Sequence, residues 1–150
     1  MSEKGTMSKR TLCTTYRFAG FTLIELVIVV AIIGILTAIY LEQIRSSRRS
    51  DGQAKLLEVM QAQERYYTVH NAYSLKLKDD LGYPTESVPS DSGWYNISAA
   101  PCGAGVPLSQ CVQLTATAQN DQANDACGNL TLNARGQWQR SGSAPESQCF

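Results

Sequence analysis

The sequence predicts an α+β protein in which a long N-terminal helix, apolar through its first half, lies by its second half on a small antiparallel sheet of three to four strands. Three patterns in its 150 residues carry this expectation. Residues 26–41 contain no charged side chain, and the apolar run from Gly20 onward is close to the roughly 20 residues a helix needs to cross a hydrocarbon core. Leu56, Leu57, Val59, Met60 and Tyr67 recur at spacings of three and four, the stripe of a helix laid against a sheet. Beyond Gly93, short runs alternate apolar and polar residues between turn signals, as strands with one covered face do.

Taken in order, the chain starts with a polar, basic leader, 1–20. It holds Lys4, Lys9, Arg10 and Arg17 against Glu3, a balance of +3 in a chain of formal net charge zero, so the remainder is −3. Basic residues just before an apolar run keep that end in the cytoplasm, which places the bulk of the chain across the membrane. Met7 is an alternative start that leaves Lys9, Arg10 and Arg17 in place. Segment 21–41 follows as a transmembrane helix, interrupted near its start by Glu25. A carboxylate beside hydrocarbon costs about 2.5–3.5 kcal/mol even on lenient scales, so Glu25 needs a cation. If the chain is cut after Gly20, the new amine of Phe21 stands four residues before Glu25. In parallel chains offset along their axes, the amine of one neutralises Glu25 of the next inside apolar packing.

The run Gly20-Phe21-Thr22-Leu23-Ile24-Glu25, continued by Leu26-Val27-Ile28-Val29-Val30-Ala31-Ile32-Ile33-Gly34-Ile35-Leu36, resembles the class III signal and N-terminal helix of type IV pilins and related pseudopilins. The resemblance implies that a prepilin peptidase cuts between Gly20 and Phe21, that the Phe21 amine is methylated, and that Glu25 serves in assembly. This leader differs from an ordinary secretory signal, because its cleavage point precedes the apolar run and the helix is retained.

Segment 42–71 continues the helix as an amphipathic stretch ended by Asn71. Many pilins carry a proline after about twenty mature residues; here none occurs between Phe21 and Tyr83, which implies a straighter helix. Gly52 and the serines Ser46, Ser47 and Ser50 are its soft points. Arg45, Arg48 and Arg49 form a basic cluster just past the span, suited to lipid headgroups or acidic neighbours, or else to a solvated helix face.

The remainder, 72–150, is a globular head. Asp79-Asp80, Gly82-Tyr83-Pro84 and Pro89-Ser90-Asp91-Ser92-Gly93 mark 71–93 as loop, and strands are expected at 94–98, 112–118, 130–133 and 137–139, the last two joined by the turn Asn133-Ala134-Arg135-Gly136. The stretches Leu81-Gly82-Tyr83-Pro84 to Trp94-Tyr95-Asn96-Ile97-Ser98, and Cys127-Gly128-Asn129-Leu130-Thr131-Leu132-Asn133-Ala134-Arg135-Gly136, are similar to a family of small minor pilins.

Of five cysteines, Cys13 lies in the leader, leaving Cys102, Cys111, Cys127 and Cys149 in an exported domain, where three pairings are possible. Cys102 with Cys111 and Cys127 with Cys149 is favoured, since each closes a local excursion. The second pair resembles the disulfide-bounded C-terminal loop of many pilins. No metal or other cofactor is expected: there is no Cys-x-x-Cys, and His70 is the single histidine, read as a surface residue. Asp121 and Asp125 with Asn120 and Asn124 fit no EF-hand spacing and read as a solvated polar loop rather than a calcium site. Arg135, Trp138 and Arg140 make a basic, aromatic hairpin that offers a weak case for touching DNA or a surface. The sequons at Asn96 and Asn129 carry little weight. No set of acid, base and nucleophile can be assembled, so an enzyme is not expected.

The expected function is that of a structural subunit, a minor pilin, of a bacterial type IV pilus used for twitching motility, adhesion or DNA uptake. Its partners would be other pilins, the prepilin peptidase and the inner-membrane assembly machinery. It would sit in the inner membrane with a periplasmic C-terminus, then in the extracellular fibre. The alternatives are a pseudopilin of a type II secretion system and a membrane-anchored module that binds nucleic acid or a surface.

Overall fold

The computed structural model describes residues 21–150, without the side chains of 37–39; the leader, with Cys13 and Gly20, lies outside the described residues. Helix α1 spans Leu23–His70, and the chain divides into two compact units, the second being Thr37–Phe150. In the first unit Thr22 opens the helix, its Oγ1 accepting the Glu25 N–H at 3.3 Å as a capping hydroxyl does. Among the described residues, every one from Phe21 to Leu36 is exposed. By length and composition α1 is able to cross a membrane.

In the second unit α1 ends at His70, and Asn71 follows in the left-handed region at φ 53° with its N–H donated to the Tyr67 carbonyl at 2.8 Å, the cap that asparagine makes at a helix C-terminus. Leu56, Val59, Ala62 and Gln63 are buried on this helix. The stripe differs from the expected one at Leu57, which is exposed. It stands about 100° around the helix from Leu56, and the covered line runs instead through Gly52, Leu56, Val59 and Gln63.

Five strands form one antiparallel sheet in chain order: β1 Val88–Pro89, β2 Tyr95–Pro101, β3 Val112–Ala118, β4 Leu130–Asn133 and β5 Trp138–Arg140. This exceeds the three to four expected, because Val88–Pro89 fell in a stretch read as loop. Pro89 has no N–H to give a ladder, which suits it to the edge of a sheet. Strand β2 also runs past residue 98, and β5 begins one residue later than expected. Period-two alternation places Tyr95, Ile97, Leu114, Ala116, Leu130 and Leu132 on the inner face, where they join Leu56 and Val59 of α1 with Leu77 and Val88 in the core. The opposite face carries short polar side chains.

Gly52 is the seat of a core side chain rather than a soft point. A Cβ built there would stand 2.7 Å from Cδ2 of the buried Tyr95 ring. In an open helix glycine to alanine gains up to ~1 kcal/mol; here overpacking of about 1–3 kcal/mol opposes it and wins. Gly52→Ala is therefore expected to lower the urea midpoint of the full-length chain in detergent, and a raised midpoint would contradict this packing.

Disulfides join Cys102 to Cys111 and Cys127 to Cys149, across sequence separations of 9 and 22, the pairing favoured from the sequence. On the loop-entropy estimate each contributes roughly 3 kcal/mol. The first braces the end of α1, since its loop accepts the Tyr73 N–H at the Leu108 carbonyl and the Tyr67 hydroxyl at the Ser109 carbonyl, both at 3.0 Å. The second ties the short helix α2, Glu146–Cys149, to the approach to β4, and Gln53 of α1 donates to the Cys149 carbonyl at 2.7 Å.

Candidate functional site

Two places in the chain carry chemistry beyond an ordinary core. The first is the uncovered start of α1. Glu25 lies in its first turn, where a carboxylate is favoured by the helix dipole. None of the ion pairs among the described residues includes it. Phe21, its neighbour four residues earlier, is exposed.

The second is a buried polar network within the head. Arg49 is not part of an outward basic cluster. Its Nη1 donates to both carboxylate oxygens of Asp125, at 2.9 and 3.1 Å, and its Nη2 to Glu42 at 2.7 Å. The Arg49 and Asp125 side chains are 6% and 2% exposed, while Glu42 is 61% exposed. Burial pulls the Arg49 guanidinium down, but the hydrogen bonds to Glu42 and Asp125 outweigh it and its pKa is raised. Arg48 is also committed, its guanidinium lying 3.5 Å over the Trp94 ring, and the Arg45 carbonyl accepts from Gln122 at 3.4 Å. The expected lipid-facing or solvated cluster is thus largely a docking seam between helix and head.

The loop around Asp121 and Asp125 is correspondingly neither a calcium site nor fully solvated. It folds as a 3₁₀ turn, Asn120–Asn124, that buries Gln122 and delivers Asp125 to Arg49. Gln122 Nε2 donates to Asp125 at 2.8 Å and to the Tyr95 hydroxyl at 3.1 Å. Burial raises the Tyr95 pKa against the Gln122 bond, which lowers it. Asp121 remains exposed, and among the described residues no cluster of His, Cys, Asp and Glu could hold a metal ion.

The remaining sequence candidates separate. Of the basic, aromatic hairpin only Arg135 projects, exposed in the turn between β4 and β5. Trp138 pairs with Leu132 across the ladder and packs its ring on Phe150, 5.3 Å between centroids. Arg140 is half-buried and donates to the Gly142 carbonyl. His70 is exposed and stacks on Tyr66 at 3.9 Å.

A family model described as "Type IV minor pilin ComP, DNA uptake sequence receptor" matches residues 38–131, more than half of the chain. The chain belongs to this family of type IV minor pilins. A second model, the prokaryotic N-terminal methylation motif, matches residues 16–41 of this pilin and so contains Gly20, Phe21 and Glu25. The type IV major pilin protein PilA of Myxococcus xanthus (strain DK1622) is 36% identical over 88 residues, which is 56% of this pilin and 39% of that relative. The pilin thus spans well under half the length of that curated relative. A solved type IV pilin from Shewanella oneidensis is 26% identical, with a TM-score of 0.47 over 71% of this pilin and 97% of that chain. Pilins are structural proteins rather than a family known for catalysis. The Arg49 network is not legible in the sequence; the one available signal is Asp125, two residues before Cys127 at the end of a polar turn.

Proposed function

We propose that this pilin is a minor subunit of a type IV pilus that serves DNA uptake. The observation that carries the role is the match of its head and helix to the ComP family, whose description is a DNA uptake sequence receptor. In this reading a prepilin peptidase cuts between Gly20 and Phe21, and the Phe21 amine is methylated. Residues 21–41 hold the mature chain in the inner membrane, with the head in the periplasm. The assembly machinery then draws it into a fibre of other pilins, where its uncovered apolar helix is buried and Glu25 pairs with a neighbouring amine. Mass spectrometry of sheared surface filaments tests the assembly half: a mass starting at methylated Phe21 with two disulfides is expected. A species found only in membranes, with a secretion defect on deletion, would instead mark a pseudopilin.

The DNA half has its own physical signature. Residues 21–150 carry nine Lys and Arg against twelve Asp and Glu, and Arg49 and Lys55 are taken up in ion pairs. Of the other seven, Arg48 lies over Trp94 and Arg140 donates to Gly142, and the rest are outnumbered by carboxylates, so binding draws on groups that read bases and shape as well as on charge. Double-stranded DNA affinity of the full chain is expected to fall with salt at a log–log slope of only about −2, the release expected for about two phosphate contacts. A slope near −6 would require a basic surface this head lacks, and no binding at low salt would remove the DNA role.

A further inference from the structure

A second polar cleft lies beside the Arg49 seam and is not used by it. Leu41, Ile44, Arg45 and Arg48 of α1, with Asp121 and Asn124 of the 3₁₀ turn, line about 230 Å³ within the second unit. Arg45 and Asp121 each stand four residues before a member of the buried pair, Arg49 and Asp125. Unlike that pair, neither belongs to an ion pair among the described residues. The main chain of Arg45 is already tied to the turn by Gln122 at 3.4 Å, so its guanidinium is not needed to close the seam. Arg48 is held over the Trp94 ring at 3.5 Å. A ring face fixes where a guanidinium sits and leaves it the fork of N–H donors with which arginine takes a phosphate.

Position along the helix says what reaches this cleft. Leu41 ends the uncharged run, and Arg45 and Arg48 follow it by about 6 and 10.5 Å at the rise of an α-helix. The headgroup layer beyond a hydrocarbon core is about 5–8 Å deep on each side, and helix side chains lean toward the N-terminus, here back into that layer. This placement rests on the membrane reading of residues 21–41 proposed above. The charges narrow the headgroup. Two guanidiniums suit a phosphodiester, but Asp121 opposes a ligand that is anionic only. A quaternary ammonium brings a positive charge without an N–H to donate, whereas a primary ammonium gives Asp121 both. We infer that the cleft of Arg45, Arg48 and Asp121 holds the phosphoethanolamine headgroup of a membrane phospholipid, with the phosphate on the arginines and the ammonium on the aspartate. Leu41 and Ile44 supply the apolar wall against which the glycerol end of that lipid lies.

The test inserts the full-length chain into vesicles of equal parts phosphatidylethanolamine, phosphatidylcholine and phosphatidylglycerol, extracts it in mild detergent and identifies the retained lipid by mass spectrometry. Phosphatidylethanolamine is expected to exceed phosphatidylcholine by about tenfold, the worth of one hydrogen bond to a charged group, and to exceed phosphatidylglycerol as well. Arg45→Gln should weaken retention of all three lipids. Asp121→Asn should keep retention but erase the preference for the ethanolamine headgroup. Asp121 is exposed and Arg45 half-buried, and both lie outside the buried pair, so the urea midpoints of the two variants are expected to match the parent. Equal retention of the three lipids, a preference for phosphatidylglycerol, or a preference indifferent to both substitutions would overturn the inference. An unchanged lipid pattern with fewer copies of Arg45→Gln in sheared fibres would overturn it in favour of a neighbouring subunit's carboxylate. A chain that alkaline carbonate strips from the vesicles would overturn the membrane reading itself, a failure distinct from insertion without lipid preference.

Discussion

Asp125→Ala is expected to remove about 3–5 kcal/mol of stability, the range found when one partner of a buried ion pair is deleted. Arg49 would be left inside the seam between helix and head, with its guanidinium, 6% exposed, facing an emptied site. Glu42 retains one of its bonds but lies at the surface, where a single exposed pair is worth about 0–1 kcal/mol. Gln122 and the Cys127 N–H also lose an acceptor, at 2.8 and 3.5 Å. Against a total of about 5–15 kcal/mol for a domain, this loss is a large fraction of the head's stability. Glu42→Ala is expected to cost less than about 1 kcal/mol, and the contrast between the two separates the buried bond from the exposed one. The double substitution Arg49→Met with Asp125→Leu should recover much of the loss, because no charge is then stranded. Urea unfolding of the full-length chain in detergent, run as a double-mutant cycle, reads all of these. Additive effects of Arg49→Met and Asp125→Leu would mean that the two side chains do not act as a pair.

The same residues show which parts of this molecule are legible in its sequence. The methylation motif matched over residues 16–41 was legible because it rests on fixed spacing, and spacing is what a sequence displays. Strands β3 and β4 were legible for a similar reason, since alternation alone separates Leu114 and Ala116 from Thr115 and Thr117. Arg49 was not, because its decisive partner lies 76 residues away. A triplet of arginines beside a span looks the same whether it faces lipid or closes a seam. Gly52 misled in the same way: its low helix propensity is local, whereas the Tyr95 ring that demands it arrives from β2. Trp138 reads as an available aromatic in the sequence, whereas Phe150, from outside the hairpin, packs on its ring. Strand β1 was hidden by its proline and by having only two residues, too few for a period to register.

Glu25→Ala is expected to lower the amount of this pilin in sheared fibres by about tenfold or more, equivalent to at least about 1.4 kcal/mol of assembly free energy, while leaving the mature mass and the membrane pool unchanged. The apolar surface from Phe21 to Leu36 is exposed in the monomer and is soluble only in lipid or against other helices. Lipid and helix neighbours are equally apolar, so packing alone gives weak direction to where one helix stops along another. A carboxylate and an amine supply that direction. Each is costly when isolated in hydrocarbon, and they meet at one stagger between parallel chains, so the paired arrangement is favoured over every shifted one. The proposed cleavage between Gly20 and Phe21 would create the amine without consuming the carboxylate, which is why processing should survive the substitution. Glu25→Gln keeps shape and hydrogen bonding but removes charge; it should fall with Glu25→Ala if pairing sets the register. Normal fibre levels for either variant would leave Glu25 without a role in assembly, and loss of the mature mass would move its role to recognition by the peptidase.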